Sequence, residues 1–304
     1  MKMMLSKRNE AVDVSPSSMP NEVDESIQLM LGKLLAEINR SKRDIGCLKD
    51  VEFKVFSQWG DDGIIQWLVN NMTFSSESFI EFGVGDYKES NTRFLMMNNN
   101  WSGFVMDGSE KKVSKIKKAS YYWKYELVAE SQFITQENIN ELLTESGFGG
   151  EPGILHIDLD GNDYWIWKAI DFISPTVFIA EYNSVFGIER SITIPYDPTF
   201  NRTRAHCSNL YWGASLRALH ELSLSKGYAF IGCNSAGVNA YFVRRDKLND
   251  FVRECSLEEG YVLSKLRDSR DEAGKLTCLT GQKRVDAIKG LPVFNIETNE
   301  IEEF

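Results

Sequence analysis

A glycine turn between two apolar runs is the first feature of this chain that could do chemistry. Phe79–Phe82 is followed by the turn Gly83–Gly85, and residues 91–95 then have the pattern of a helix start. A second apolar run ends on Asp107, 22 residues after the second glycine. Glycine lets a ligand approach the backbone, and an acidic residue at the tip of the second strand accepts hydrogen bonds from ribose hydroxyls. The spacing therefore predicts a nucleoside-binding unit of strand, turn, helix and strand.

Two classes of cofactor use such a unit, and the residues beside the glycines distinguish them. A dinucleotide site wants a third glycine, but Lys88 stands at that position. Glu81, two residues before the first glycine, suits the α-ammonium group of S-adenosylmethionine (SAM), directly or through water. We therefore expect SAM, bound by Glu81, Gly83, Gly85, Asp107 and Gly108. A glycine turn that binds no ligand is the alternative.

Alternating strands and helices are predicted to position these residues. Near-continuous apolar runs separated by helical patterns indicate a parallel sheet that is buried on both faces. The last two runs are joined by residues 233–238, too few for a crossover helix, so these two strands must be antiparallel. The expected strands are 79–82, 103–106, 125–130, 153–160, 176–181, 227–232 and 239–243, and the expected helices include 64–69, 110–119, 139–146, 163–172 and 210–226.

The remaining segments divide the chain into four parts. Residues 1–20 lack periodicity and are expected to be disordered. Residues 21–50 contain one amphipathic helix, which packs on its own domain or on a second copy of the chain as a homo-oligomer. Residues 51–246 form the cofactor-binding domain, with an insertion at 183–209, and residues 247–304 are expected to be a charged helical extension.

Composition argues against several classes of protein. The chain has 304 residues, of which 42% are hydrophobic, enough for a sizeable core. Its net charge of −10 argues against a protein that binds nucleic acid through phosphates. The five cysteines form no Cys-x-x-Cys pair and are expected to be reduced. No apolar run approaches the ~20 residues of a membrane span, so we expect a cytoplasmic protein.

Several short segments between residues 52 and 246 carry a resemblance to a known family. They are FSQWGDDGII, EFGVGDYKESNT, HIDLDGNDYWIWKAI, AEYN, YWGASLRAL, KGY and NAYFVR. The chain resembles the FkbM-like branch of class I SAM-dependent methyltransferases. This resemblance implies a Rossmann-like, seven-stranded methyltransferase sheet with an antiparallel last strand and helices on both faces. It also implies an adenine edge at Ala129, Glu130 and Ser131. Gln58 precedes the turn and is expected to reach over it.

Acidic residues after the fourth and fifth strands extend the resemblance. Asp158, Glu181 and Asn183, with Asp160 as the alternate, are similar to the residues that hold Mg²⁺ in cation-dependent O-methyltransferases such as the catechol and caffeoyl-CoA enzymes. Carboxylate and amide oxygens are ligands that Mg²⁺ prefers. Those enzymes carry a lysine three residues after the first aspartate, where this chain has Gly161. Solvated or helix-capping carboxylates are the alternative interpretation.

A catalytic base is expected among two histidines and one acid. His206 is the first choice, because neutral imidazole is matched to proton removal near pH 7. Asp158 is another catalytic candidate and is also expected to contact the cofactor. His156 is the second choice, but its position in a buried strand favours a hydrogen-bonded core histidine. The insertion 183–209 is expected to close over the methyl group as a lid, with arginines that bind a carboxylate or phosphate.

The predicted activity is SAM-dependent O-methylation of a saccharide, a glycan or another small-molecule acceptor, with or without a divalent cation. N-methylation of a small amine stays open as an alternative, and so does a SAM-binding protein without activity. A dehydrogenase is disfavoured by Lys88.

Overall fold

The structure is a computed structural model that describes residues 19–304, with side chains from residue 24 onward. Its strands are Ser78–Phe82 (β1), Ser102–Asp107 (β2), Leu127–Ser131 (β3), Ile154–Ile157 (β4), Val177–Glu181 (β5), Ile192–Thr193 (β6), Tyr228–Cys233 (β7), Asn239–Arg244 (β8), Pro292–Asn295 (β9) and Glu300–Glu303 (β10). Its α-helices are Met19–Arg40 (α1), Asp61–Asn71 (α2), Arg93–Asn99 (α3), Glu110–Lys118 (α4), Ile139–Ser146 (α5), Asp163–Ala169 (α6), Arg202–Ala205 (α7), Leu216–Ser225 (α8), Leu257–Gly260 (α9) and Gln282–Asp286 (α10). Short 3₁₀ helices cover Leu48–Val51, Ser184–Phe186 and Arg245–Lys247.

The central sheet of the described chain has seven strands in the order β3-β2-β1-β4-β5-β8-β7. The first five strands are mutually parallel, whereas β8 is antiparallel to both β5 and β7. This confirms the predicted seven-stranded α/β sheet with an antiparallel last strand. The strand order reverses between β1 and β4, and in such sheets ligands bind outside the carboxyl ends of the strands at this point.

Helices cover both faces of the sheet, as predicted. Side chains alternate along each strand, so Ile80 and Phe82 of β1 pack with α5, α6 and α8, while Phe79 packs with α2, α3 and α4. All three side chains are fully buried. The two cores fix the sheet between its helices and hold the carboxyl ends of β1, β2, β4 and β5 together at one edge.

The C-terminal extension differs from the expected helical one. Its two α-helices span only four and five residues, and much of the remaining chain is irregular. The strands β9 and β10 pair antiparallel and join β6 in a small three-stranded sheet. Three glycines in this segment, Gly274, Gly281 and Gly290, have φ values of 77°, 53° and 80°. Such left-handed positions interrupt a helix, which explains why this charged segment does not form a long one.

The helix α1 packs on the domain through one narrow face. Gly32 allows the close approach, because a Cβ atom there would lie 2.5 Å from Val55 and 2.7 Å from Phe94. Glu25 forms an ion pair of 2.9 Å with the buried Arg93.

Residues 1–18, part of the segment predicted to be disordered, lie outside the described residues. None of the described helices is both long and apolar enough to cross a membrane.

Candidate functional site

The turn after β1 contains two glycines, one needed for close backbone packing and one that leaves space for a ligand. Gly83 and Gly85 have φ values of 78° and 58°. At Gly83, a Cβ atom would lie 1.6 Å from the backbone oxygen of Asp158, so the glycine lets the ends of β1 and β4 approach each other. At Gly85, the nearest atom to a Cβ would be Nζ of Lys112, at 3.9 Å. The backbone at Gly85 therefore remains accessible to a ligand.

Asp107, at the end of β2, holds the glycine turn in place. Its Oδ2 accepts a hydrogen bond of 2.8 Å from the backbone N–H of Gly85, and its Oδ1 accepts one of 2.8 Å from Ser109. With Gly108, Asp107 lines a first cavity of about 500 Å³. Each carboxylate oxygen has a further lone pair, so Asp107 can also accept hydrogen bonds from ribose hydroxyls.

Residues after β3, and not β3 itself, line this side of the first cavity. Ala129 is buried in the core, and neither it nor Glu130 lines the cavity. The wall is formed instead by Gln132, Phe133 and Ile134. The residues that line the cavity thus lie a few positions C-terminal to the predicted Ala129 and Glu130. The cause is that β3 continues to Ser131, so the chain reaches the cavity only after that residue.

Glu81 lies beneath the turn, with its carboxylate bound within the protein. Its Oε1 accepts a hydrogen bond of 3.0 Å from the backbone of Asn91 and lies 3.0 Å from Nδ1 of His156. Its Oε2 accepts hydrogen bonds of 2.6 Å from Ser90 and 2.5 Å from the hydroxyl of Thr92. Although Glu81 reaches the wall of a cavity, it is only 2% exposed. These contacts favour a role in fixing the start of α3 over the expected contact with an α-ammonium group.

The contact between Glu81 and His156 shifts the pKa of both groups. Burial alone would raise the pKa of Glu81, but the contact with His156 and the Ser90 hydroxyl hold it below its usual value. Burial would lower the pKa of His156, but the carboxylate of Glu81 raises it above its usual value. The two groups therefore form a buried ion pair. His156 has the character of a hydrogen-bonded core residue, as its strand position favours.

A second cavity, of about 570 Å³, continues the first across the glycine turn. Gly83, Lys112 and Asp158 line both cavities. Gln58, predicted to reach over the turn, lines the second cavity. The combined space extends from Asp107 on one side to Gln58 on the other, and it suits a nucleoside joined to an amino acid. Lys112 was not predicted, because the lysines of α4 have the pattern of a solvated helix face.

Three carboxylates converge after β4 and β5. One oxygen each from Asp158, Asp160 and Glu181 lies within 4.8 Å of the others. Glu181 is 9% exposed, and its Oε2 has no hydrogen-bond partner. Burial and the neighbouring carboxylates raise the pKa of Glu181 well above its usual value, and burial raises the pKa of Asp158 to about 6. The unpartnered buried oxygen and the all-oxygen donor set fit a divalent cation.

Asn183 does not belong to this group of carboxylates. Its Nδ2 donates hydrogen bonds of 2.9 Å to the backbone oxygens of Leu210 and Trp212, and its Oδ1 accepts one of 3.0 Å from Val185. The amide is thus committed to holding the insertion in place. Of the predicted ligands, Asp158 and Glu181 lie together with Asp160, the predicted alternate, whereas Asn183 is hydrogen-bonded elsewhere.

Arg202, in the insertion, is a protein counter-ion for the acidic group. Its Nη1 donates to Asp160 at 2.9 Å, and its Nη2 donates to Asp268 at 2.7 Å. Its guanidinium lies 4.5 Å from the centroid of a Trp212 ring. A cation that took Asp160 as a ligand would therefore compete with Arg202, whereas Asp158 and Glu181 form no ion pair with any side chain of residues 24–304.

The predicted base His206 lies outside the site. Its Nδ1 is 2.8 Å from the hydroxyl of Ser208, and the residue lines none of the cavities described. The insertion instead contributes Phe200 and Arg202 to the first cavity. A Cβ atom at Gly161 would lie 2.2 Å from the Phe200 ring. The position that carries a lysine in cation-dependent enzymes is thus filled here by the insertion.

A third cavity, of about 390 Å³, adjoins the second and is lined by Glu181 at the end of β5. Gln58 and Val238 line both the second and the third cavity. The C-terminal extension forms a large part of its wall, a contribution that no sequence motif indicated. The aromatic and charged residues lining the third cavity are Trp59, Trp212, Glu181, Arg202, Arg267, Asp268 and Arg284, together with Tyr182.

Comparisons with known proteins give a likeness of fold. No protein-family model matches the chain, and no curated protein matches it. A SAM-dependent methyltransferase from Clostridium acetobutylicum is 12% identical over 60% of this chain and 89% of that chain, with a TM-score of 0.38. An O-methyltransferase from Bacillus cereus in complex with SAH is 13% identical over 76% and 91%, with a TM-score of 0.38. The CurJ carbon methyltransferase is 9% identical over 62% and 55%, with a TM-score of 0.39. These values do not assign the chain to a family.

Proposed function

We propose that the protein transfers the methyl group of SAM to a hydroxyl oxygen of a saccharide, a glycan or another small-molecule acceptor. The observation that carries this proposal is the pair of continuous cavities across the Gly83–Gly85 turn, with Asp107 on one side and Gln58 on the other. Their position at the reversal of strand order agrees with ligand binding in sheets of this kind.

The residues of the first two cavities fit the two ends of SAM. Asp107 and Gly108, with Phe133 beside them, would hold the nucleoside, and Gly85 and Gln58 would hold the amino-acid end. When bound, SAM supplies a methyl group that is already a strong electrophile. The protein therefore has to align the acceptor, exclude water and remove a proton. Phe200 and Arg202 support a lid role for the insertion 183–209, since they line the first cavity.

Asp158 is the best-placed proton acceptor. It lines both cofactor cavities, while Glu181 lines the third cavity, so a hydroxyl between them lies at the edge of the cofactor space. Burial raises the pKa of Asp158 to about 6, which suits a general base near neutral pH. With a divalent cation, Asp158, Asp160 and Glu181 would instead serve as its ligands, and the charge of the cation, in place of Asp158 as the base, would lower the pKa of the acceptor hydroxyl.

The cofactor is tested by thermal unfolding with SAM, with its demethylated product SAH, and with NAD and NADP. A ligand at ~100 times its dissociation constant stabilises the folded state by about 2.7 kcal/mol. We expect a shift with SAM and SAH only, and its loss in Asp107→Ala but not in the control Asp171→Ala, an exposed acid outside the cavities. The dinucleotide arm is needed because Lys88 and Lys112 line the second cavity and would attract a pyrophosphate. A shift with NAD and none with SAM would overturn the proposal.

N-methylation of a small amine is the second candidate, and the three convergent carboxylates are the observation that favours it. An ammonium group could replace the cation among them. The two reactions differ in their metal requirement, since an amine needs no divalent cation for activation. Turnover on hydroxyl and amine acceptors, each measured with Mg²⁺ and with a chelator, separates them: O-methylation is expected to fall on chelation, and N-methylation is not.

A cytoplasmic location is also proposed. All five cysteines lie within the described residues and are free thiols, which fits a reducing compartment. Fractionation of cells that produce the tagged protein tests this location, and recovery in a secreted fraction would contradict it.

A further inference from the structure

We infer that the methyl acceptor is a hydroxylated anion, a sugar acid or a sugar phosphate, whose charged group is bound by Arg267 and Arg284 in the third cavity. This inference rests on the proposed methyl transfer. The arginines come from the C-terminal extension, which closes the cavity opposite Glu181.

Arg284 is a buried cation without a close anionic partner. It is 8% exposed, and its Nη1 donates a hydrogen bond of 2.7 Å to the backbone oxygen of Ser264. Its Nε has no partner, and the nearest carboxylate oxygen, Oδ1 of Asp268, is 4.0 Å from its Nη2. The other oxygen of Asp268 is bound to Arg202 at 2.7 Å. A buried guanidinium without close compensation is unfavourable, and an anionic ligand would supply what is missing.

Arg267 provides a second free cation in the same cavity. It is exposed, and within residues 24–304 it makes no hydrogen bond or ion pair. On the side of the third cavity that residues 264–284 form, Arg267 and Arg284 face a single carboxylate, Asp268, whose Oδ2 is already bound to Arg202. The cavity is therefore positive at its C-terminal side, and guanidinium groups bind carboxylates and phosphates through paired hydrogen bonds.

Unpartnered groups on the remaining wall indicate that the ligand also carries hydroxyls. Nε1 of Trp59 is a buried donor without an acceptor, whereas Oε2 of Glu181 and Oδ1 of Asp268 are buried acceptors without a donor. A hydroxyl both donates and accepts, so it can satisfy groups of either kind. A cavity of about 390 Å³ is within the range of small-molecule sites. Hydroxyls near Glu181 and an anion near Arg284 together describe a hydroxylated acid.

The test measures the binding of three compounds that share one ring to the protein saturated with SAH. Glucuronate and glucose 6-phosphate carry the two kinds of anion, and glucose is the neutral match. We expect at least one anionic compound to bind tenfold or more tightly than glucose in calorimetric titrations. Arg267→Ala is expected to lose that tenfold preference, because this exposed residue can be removed without disturbing the fold. The control Lys265→Ala removes a nearby cation that lines a different cavity and is expected to leave the preference unchanged.

Two outcomes would overturn the inference. One is equal binding of the charged and neutral compounds, or binding of none of them, in protein that binds SAH. The other is an unchanged preference in Arg267→Ala and in Arg284→Met, the second variant being scored only where circular dichroism shows an intact fold. Failure of the wild-type protein to bind SAH counts against the methyl-transfer proposal, and the titrations are then repeated without SAH, where the same anion preference is still expected.

A separate observation concerns the outer face of α1. Its side chains include six large apolar residues that are 39% to 71% exposed, and they make up half of the exposed large apolar side chains in the described chain. They are Ile27, Met30, Leu31, Leu34, Leu35 and Ile38. The opposite face of the helix, with Gly32, Ala36 and Asn39, is already buried against the domain. The exposed stripe is therefore not required for packing within one chain.

We propose that this stripe binds the same stripe of a second copy of the chain in an antiparallel pair. The central residues Ile27, Leu31, Leu34 and Ile38 are spaced by four, three and four positions, which is the spacing of a coiled-coil seam. This spacing is the same in both chain directions. A two-fold interface must be self-complementary, and antiparallel pairing places Ile27 against Ile38 of the partner subunit.

Light scattering and disulfide crosslinking test the pair. We expect a dimer at tens of micromolar protein and a monomer for Leu34→Glu, with Lys33→Glu on the polar flank as the control that remains dimeric. In a background with the exposed Cys47 and Cys207 changed to serine, the double variant Ile27→Cys, Ile38→Cys is expected to crosslink, whereas Ile27→Cys alone is not. A monomeric wild-type protein, or crosslinking of Ile27→Cys alone, would overturn the proposal.

Discussion

The buried pair of Glu81 and His156 joins the cofactor turn to the neighbouring strand. Glu81 and His156 are paired in the register of β1 and β4, and their side chains meet at 3.0 Å. The carboxylate also binds Ser90, Asn91 and Thr92 at the start of α3. One side chain therefore sets the relative position of two strands and a helix, and its ionisation affects the stability of the entire turn.

His156→Gln is expected to lower stability in a pH-dependent way. The raised pKa of His156 contributes stability that is fully present below its unfolded value of 6.5 and is lost as the pH rises through the folded pKa. The lowered pKa of Glu81 contributes stability above 4.5 that is lost as the pH falls through its folded pKa. The difference from wild type is therefore largest between these two values, about 2 kcal/mol, and shrinks at alkaline pH. Urea unfolding at several pH values measures it, with His220→Gln as the control.

The two glycines of the turn predict two different mutant phenotypes. Gly83→Ala would place a methyl group against the backbone of Asp158, and we expect a loss of more than about 3 kcal/mol of stability. Gly85→Ala meets no backbone atom, so the left-handed φ is expected to cost only about 1 kcal/mol. The added methyl enters the cavity, however, and SAH affinity is expected to fall tenfold or more. Thermal unfolding and calorimetry separate these effects. A Gly85→Ala variant that binds SAH normally would place the ligand elsewhere.

At the scale of elements, the start of α2 is tied to other parts of the fold. By position alone, the acidic residues in the first turn of α2 would complement the helix dipole or cap the helix. Asp62 instead accepts hydrogen bonds from the backbone of Val55, Phe56 and Ser57 in the preceding loop. Asp61 reaches the hairpin of β7 and β8, more than 170 residues away in sequence. Local pattern located the helix but gave no information about these distant partners.

Removing the Asp61 carboxylate tests this long-range anchor. Asp61 is fully buried and accepts hydrogen bonds from Asn234, Asn239 and Tyr241, the last at 2.6 Å. Asp61→Ala would leave several buried donors unsatisfied, so we expect a loss of about 3 kcal/mol or more. In a double-mutant cycle with Tyr241→Phe, the two changes are expected to be less than additive. Additive losses in urea unfolding would show that the hairpin and α2 are not coupled through this bond.

At the scale of the whole molecule, the sheet was predictable and the third cavity was not. The strands, their parallel direction and the antiparallel last pair followed from apolar runs, glycines and one short loop, because these are local signals of backbone geometry, whereas the resemblance implied the seven-stranded sheet. The Asn183 side chain donates hydrogen bonds to Leu210 and Trp212, which are 27 and 29 residues away in sequence. No spacing rule indicates such partners. The contribution of Arg284 to the wall of the third cavity was not predicted, because Arg284 is also distant in sequence from Glu181. The resemblance named Asp158 and Glu181, with Asp160 as the alternate, and these three lie together because strand ends meet at one sheet edge wherever the insertion lies.

The convergent acids lower the stability of the molecule as a whole, and Glu181→Gln is expected to reveal this. The folded pKa of Glu181 lies well above its unfolded value of 4.5, so its contribution to stability is fully present below pH 4.5 and is lost as the pH rises toward the folded pKa. A neutral glutamine escapes this loss. We expect Glu181→Gln to be more stable than wild type at pH 8 with a chelator, by about 1 kcal/mol or more, while methyl transfer is lost. Mg²⁺ is expected to raise the melting temperature of the wild type and not of the variant. If the variant is instead less stable at every pH, the Glu181 carboxyl serves the fold and not a cation.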